Sequence, residues 1–231
     1  MVTKIGLVDN VISSVGQKSD RAILFFSCGK DSIALLDFMA SFFREIVCVF
    51  MYFVKDLEHI DKYLRWAQAR YKNVKIIQVP HWNLTYILRS GIYCVPNPKI
   101  KLLKLRDVDN AIRLQTGIEY SFFGMKKADS MNRRLMLNTY ESNNYISNTN
   151  RVYPLSEMTN KEIVLWLKQR KLPESVRYSK NASGGVGFNL NCYLYLRKNY
   201  PADLEKILHA FPMSEKILID YDNKQNDSRT E

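Results

Sequence analysis

Two uninterrupted apolar runs, residues 22–26 and 46–54, stand out early in the chain, and a third strand-like segment, 74–79, stops at Pro80. Runs of this kind predict strands covered on both faces, as in a parallel sheet. The segments between them change period. Residues 32–44 are apolar nearly all round and predict a buried helix, whereas 58–71 predict an amphipathic one. A short helix is expected ahead of these, over 5–18. Strand, helix, strand, helix, strand in this order requires right-handed crossovers and a doubly wound, mostly parallel α/β sheet of Rossmann-like type.

Further along, residues 81–90 predict a helix closed by Gly91, and 106–116 another closed by Gly117. Between them, 92–104 is broken by Pro96 and Pro98 and carries Lys99, Lys101 and Lys104. Residues 120–123 predict the next strand, which delivers Gly124 and a basic, polar stretch. Thr159-Asn160-Lys161-Glu162 is a capping-box sequence that opens a helix to about residue 170, with Pro173 beyond its end. A glycine-rich turn is expected at 183–187. Pro201 suits the first turn of a helix through about residue 209. The expected organisation is an α/β domain over 1–175, a small helical C-terminal extension packed on it over 176–221, and a disordered tail over 222–231.

Composition narrows the class. At 231 residues and 46% hydrophobic content, the chain has enough apolar side chains for a true core. A formal net charge of +11 suits polyanionic partners: nucleotides, nucleic acid or an acidic protein. No run of five basic residues occurs, which argues against a nucleic-acid-binding tail. No apolar run reaches the length of a membrane span, and the first residues lack a signal-peptide pattern, so a soluble cytoplasmic chain is expected, with no membrane partner. The four cysteines, Cys28, Cys48, Cys94 and Cys192, form no C-x-x-C pair, so neither a zinc knuckle nor an iron–sulfur cluster is expected.

The chemistry concentrates in two places. Ser27-Cys28-Gly29-Lys30-Asp31-Ser32 joins the first strand to the first buried helix. A strand, a tight loop and a helix N-terminus make an anion site, because free backbone N–H groups and the helix dipole both face the loop. Ser27 and Ser32 add hydroxyls, Gly29 allows close approach, and Lys30 adds a mobile cation. It is not the Walker pattern, which needs a longer glycine-rich loop. The second place is Gly124 to Arg134, where Lys126, Lys127, Arg133 and Arg134 accompany Asp129 and Ser130 just past a strand end. Such a group can hold phosphate or sulfate, or can be a solvated basic loop. Ligands in open α/β sheets bind at the carboxyl ends of strands, so both loops are expected to face one pocket.

The first loop resembles the PP-loop, S-G-G-K-D-S, of the ATP-pyrophosphatase and phosphoadenosine-phosphosulfate (PAPS) reductase superfamily, with Cys28 at a position that is usually glycine. The second resembles that family's G-x-R-x-x-[DEQ]-S-x-x-R, in the register of Gly124, Lys126, Asp129-Ser130 and Arg133, with Lys126 in place of the usual arginine. Pro154 to Ile163 and Leu172-Pro173 resemble two further family segments in the right order. The resemblance implies a PP-loop nucleotide-binding domain and an adenine nucleotide, ATP or PAPS. Its phosphates would sit on Ser27, Cys28, Gly29, Lys30, Asp31 and Ser32. Gly124, Lys126, Ser130 and Arg133 would meet the distal anion. Asp31 would orient the loop or a Mg2+ ion, and residues 50–53 would face the adenine.

The family's reductases carry a C-terminal cysteine nucleophile, whereas this chain has no cysteine after Cys192. Lys30, Asp31 and Cys192 are therefore the expected catalytic residues, with Cys28 and Cys94 as other thiol candidates. The implied activity is adenylation or sulfur transfer, possible on nucleic acid, with a sulfur-donor protein supplying any persulfide. The alternative is a catalytically degenerate PP-loop domain serving as a structural or interaction module. A third reading, nucleic-acid binding through Lys99, Lys101, Lys104, Arg106 and Arg113 near Tyr93, rests on charge and stacking.

Overall fold

The structure is a computed structural model that describes residues 2–178 and 187–230. Of the glycine-rich turn expected at 183–187, all but Gly187 lies outside them. The chain divides into two units that interleave in sequence: Met1–Met51, Tyr63–Val79 and Arg106–Ser175 form one, and Tyr52–Lys62, Pro80–Leu105 and Val176–Glu231 the other. The second unit is thus more than a C-terminal extension, because it draws in two earlier segments.

The first half of the chain runs α1 (Val2–Gly16), β1 (Arg21–Phe25), α2 (Lys30–Met39), β2 (Glu45–Tyr52), α3 (Glu58–Arg70), β3 (Val74–Pro80), α4 (Leu84–Ser90) and α5 (Leu105–Thr116). Then come β4 (Ser121–Phe122), α6 (Met131–Asn138), β5 (Arg151–Val152) and α7 (Asn160–Gln169). The strands form one sheet in the order β3-β2-β1-β4-β5. β1 runs parallel to both β2 and β4, and β4 runs parallel to β5. The order reverses beside β1, so the crevice for a ligand opens between the ends of β1 and β4.

Burial follows the apolar runs. Ala22, Ile23, Leu24 and Phe26 are fully buried, as are Ile33 to Leu36 of α2, which explains why neither segment shows a polar face. Phe38 of α2 stacks on Trp166 of α7 at 4.1 Å. Beside them, buried Asp37 accepts hydrogen bonds from Tyr71, Trp166 and Arg170. The capping box forms: Thr159 accepts from the Glu162 amide, and Glu162 accepts from the Thr159 amide.

Two elements of this unit escape the apolar pattern. β5 has only two residues, and α6 presents mostly exposed side chains. β4 and β5 are held by charge as much as by packing. Buried Asp109 of α5 accepts from Arg113 (3.0 Å), Ser121 (2.5 Å) and Arg151 (2.7 Å). Arg113 also donates to the carbonyls of Thr149 and Asn150. That arginine is a brace between α5 and the sheet edge, not the nucleic-acid contact expected of it.

The second unit contains α4 and three helices toward the C-terminus, α8 (Leu190–Asn199), α9 (Pro201–Ala210) and α10 (Lys216–Thr230). Gly91 closes α4 at φ +69, the left-handed cap expected of it. The tail expected to be disordered from residue 222 is instead helical to Thr230. Leu218 anchors α10 by burial, and Arg197 of α8 pairs with Asp222 at 2.9 Å. The polar residues 222–227, which suggested disorder, are all exposed on that helix. Among the described residues no helix is long and apolar enough to cross a membrane.

Candidate functional site: an anion cradle at the sheet switch point

β1 ends at Phe25, and the chain turns through Ser27, Cys28 and Gly29 into α2. The turn requires a left-handed residue, and Cys28 supplies it at φ +59. That region favours glycine, which accounts for the glycine usual at this position in the PP-loop. Gly29 has an ordinary φ of −83 and caps α2 without a side-chain hydrogen bond. The first helical bond runs from the Ile33 amide to the Gly29 carbonyl. The amides of Lys30, Asp31 and Ser32 thus form an uncapped first turn, with the positive end of the helix dipole behind them.

The hydroxyls divide their duties. Ser32 is buried and donates to the Gly29 carbonyl at 2.9 Å, with Ser27 Oγ 3.3 Å away. Its hydroxyl holds the loop together, so the Ser32 contribution to an anion is its backbone amide. Ser27 is exposed and remains a hydroxyl the crevice can use.

Gly124, just past β4, closes the other side. A Cβ there would lie 3.3 Å from the Asp31 carbonyl carbon and 3.4 Å from the Ser32 amide nitrogen. Any side chain at this point would push the two loops apart. Phe25 and Phe123, at the ends of β1 and β4, stack at 4.6 Å beneath them.

Charge completes the cradle. Lys30 Nζ lies 2.8 Å from Asp31 Oδ2. Lys126 Nζ lies 2.6 Å from Asp31 Oδ1 and 2.9 Å from Asp129 Oδ1, and Arg133 Nη1 lies 2.6 Å from Asp129 Oδ2. Three cations against two carboxylates leave one excess positive charge. Burial pushes the Asp129 carboxyl up, but hydrogen bonds from Lys126 and Arg133 outweigh it and hold the group below its ordinary range. Lys126 Nζ and Asp31 Oδ1 are buried without a well-directed hydrogen bond, close in charge but not aligned.

Several expectations change here. Lys126 does not reach out to a distal anion: its side chain is 0% exposed and bridges two carboxylates. Lys30 is not a free solvent-facing side chain, since Asp31 holds it. Ser130 accepts from the Arg133 amide as the N-cap of α6. Arg133 remains half-exposed and able to turn toward a ligand. Lys127 is drawn away to Glu141 and Glu157, and its ammonium is held well above the ordinary range by those partners against the opposing effect of burial. Asp129, which organises Lys126 and Arg133, was missed as a site residue; it lies in the turn ahead of α6, three residues after Lys126 and four before Arg133.

A hard divalent cation needs free oxygen ligands. Asp31 and Asp129 already share their oxygens among three cations, so the donor set does not fit Mg2+ held by Asp31. Among the described residues no three His, Cys, Asp or Glu side chains converge on a metal point.

The thiols are no more available. All four cysteines are unpaired by disulfides and buried. Cys192, on α8 in the second unit, is 0% exposed, and burial pushes its thiol up. Burial does the same to Cys48 of β2. A thiolate nucleophile must be exposed, and Cys192 is not. Phe53, expected near an adenine, has one ring face against His81 at 4.5 Å. Tyr93, expected to stack on bases, packs against Phe188.

A glycine-bearing turn after β1, an uncapped helix start and a basic cluster at the switch point define a phosphate-loop α/β protein. The chain matches the family model of the phosphoadenosine phosphosulfate reductase domain over residues 21–181, more than two thirds of its length, and it belongs to that family. No curated protein matches it.

Proposed function

We propose that the chain binds an adenine nucleotide, ATP or PAPS, by its phosphates and acts in the activation half of adenylation or sulfur transfer. The observation that carries this reading is the uncapped first turn of α2 facing Gly124, with one excess positive charge from Lys30, Lys126 and Arg133 around it. Fixed amides and ammonium groups of this kind stabilise charge that develops on a departing phosphate. In adenylyl transfer, an acceptor oxygen attacks the α-phosphorus and the bond to the bridging oxygen breaks. Pyrophosphate leaves with the electron pair, and Lys30 and the loop amides neutralise it. The acceptor loses its proton to solvent. Burial of every cysteine favours this half over reductive sulfur chemistry, so a reducing thiol or persulfide would come from a separate sulfur-donor protein.

The second reading, a degenerate PP-loop module, draws support from the strained Cys28 and from Lys126 locked between carboxylates. Calorimetric titration with ATP, PAPS and AMP separates the two. Lys30→Ala is expected to weaken ATP and PAPS by about 10- to 100-fold, the range of a charge-assisted hydrogen bond. Its stability should change by no more than about 0.5 kcal/mol, because the site is half-exposed. Absence of binding to all three nucleotides in the parent chain would transfer the case to the module.

A further inference from the structure

Within the second unit, Phe53, Val54, Ile87, Phe188, Ile207 and Phe211 line a partly open cavity of about 190 Å3. Its aromatic walls are in contact with other rings. Phe188 meets Phe211 edge-on at 4.8 Å and Tyr93 at 5.0 Å, while Phe53 is stacked on His81. Ile87, Cys94 and Phe211 form a buried cluster beneath these rings. Among the described residues no charged side chain lines the cavity, so a phosphate or carboxylate would enter without a counter-charge from them.

Among the described residues one polar side chain lines it. Asn83 starts α4 without using its side chain as a cap, and its backbone amide donates to His81 Nδ1 at 3.1 Å. The Asn83 carboxamide makes no hydrogen bond among the described residues, which leaves a donor and an acceptor for a guest. Few polar groups on an apolar wall is the make-up of a small-molecule site. An apolar cavity of about 150 Å3 suffices for benzene.

We infer that this cavity binds a neutral free molecule of one six-membered ring with a single hydrogen-bonding substituent, of which phenol is the simplest. The ring lies among Phe53, Phe188 and Phe211, and the substituent meets Asn83. This site shares no residue with the phosphate cradle, although Phe53 is among the residues expected to face the adenine.

Ligand-observed NMR titrations of the full chain with phenol, benzene and benzoate test it. Phenol should bind about fivefold more tightly than benzene, the factor one ordinary hydrogen bond supplies, and benzoate should not bind. Val54→Phe should fill the space and abolish phenol binding. Should that variant fail to fold, Asn83→Leu serves in its place and should bring phenol down to the level of benzene. Lys30→Ala should leave phenol binding unchanged. Equal binding of phenol and benzoate, or phenol binding that survives both Val54→Phe and Asn83→Leu, overturns the assignment.

Discussion

The second unit buries a charge cluster at Asp203 and the first unit one at Lys126, and the two are satisfied to different degrees. In the second unit Asp203, 2% exposed, accepts from the amides of Glu58 and His59 at 2.9 Å each and from His59 Nδ1 at 2.6 Å. Tyr178 completes the imidazole at 2.9 Å from Nε2. Burial pulls the His59 pKa down, more than Asp203 raises it, so the ring is neutral and its Nδ1–H donates to an ionised carboxylate. Every polar atom has a directed partner. In the first unit Lys126 is as deeply buried, yet neither its ammonium nor Asp31 Oδ1 is well aligned with its neighbour. A fully satisfied cluster fixes structure, and an under-satisfied one leaves hydrogen-bonding capacity unused.

The sharpest way to break that contrast is to remove the centre of each cluster. Asp203→Ala strands two backbone donors and an imidazole, and is expected to cost about 3–5 kcal/mol in chemical denaturation. Whatever remains folded should bind ATP as the parent does. Lys126→Met has the opposite profile. Lys30 still pairs with Asp31 and Arg133 with Asp129, so stability should fall by only about 1 kcal/mol. The excess charge of the cradle disappears, and ATP affinity should fall by about tenfold in the same calorimetric titration. Equal losses of stability and affinity in both variants would show that the clusters do not differ in kind.

The contrast also marks how far the sequence could be read. Uninterrupted runs such as 46–54 located β1 and β2, because strands buried on both faces leave no polar position. β5 was illegible because two residues carry no period, and its place is set by Arg151 reaching Asp109. The later part of α10, from residue 222, was taken for a disordered tail because its residues are polar, a property composition alone does not separate from disorder. In the cradle, the motif indicated Lys30, Asp31 and Gly124, but not the direction of each charge. Which carboxylate captures Lys126 depends on contacts 95 positions apart in the chain, Asp31 with Lys126. The Asp203–His59 pair joins segments 144 positions apart and had no motif at all.

The smallest effect concerns the backbone of the loop itself, where two positions need a small residue for different reasons. At Gly124 the reason is space, since a Cβ would press on Asp31 and Ser32. At Cys28 the reason is conformation, because φ +59 puts an L side chain in the left-handed region whatever the room around it. Cys28 is also buried, so replacing it removes packing as well as strain. Comparing Cys28→Gly with Cys28→Ala isolates the strain, since both lose the thiol and only alanine keeps a Cβ. The glycine variant should be more stable than the alanine variant by about 1 kcal/mol, the conformational gain partly offset by the greater freedom of glycine in the unfolded chain. Thermal or urea unfolding measures the difference. An alanine variant equal to or more stable than the glycine variant would mean that the loop gives up its left-handed turn when the thiol is removed. The uncapped start of α2 would then owe its geometry to that side chain and not to the fold.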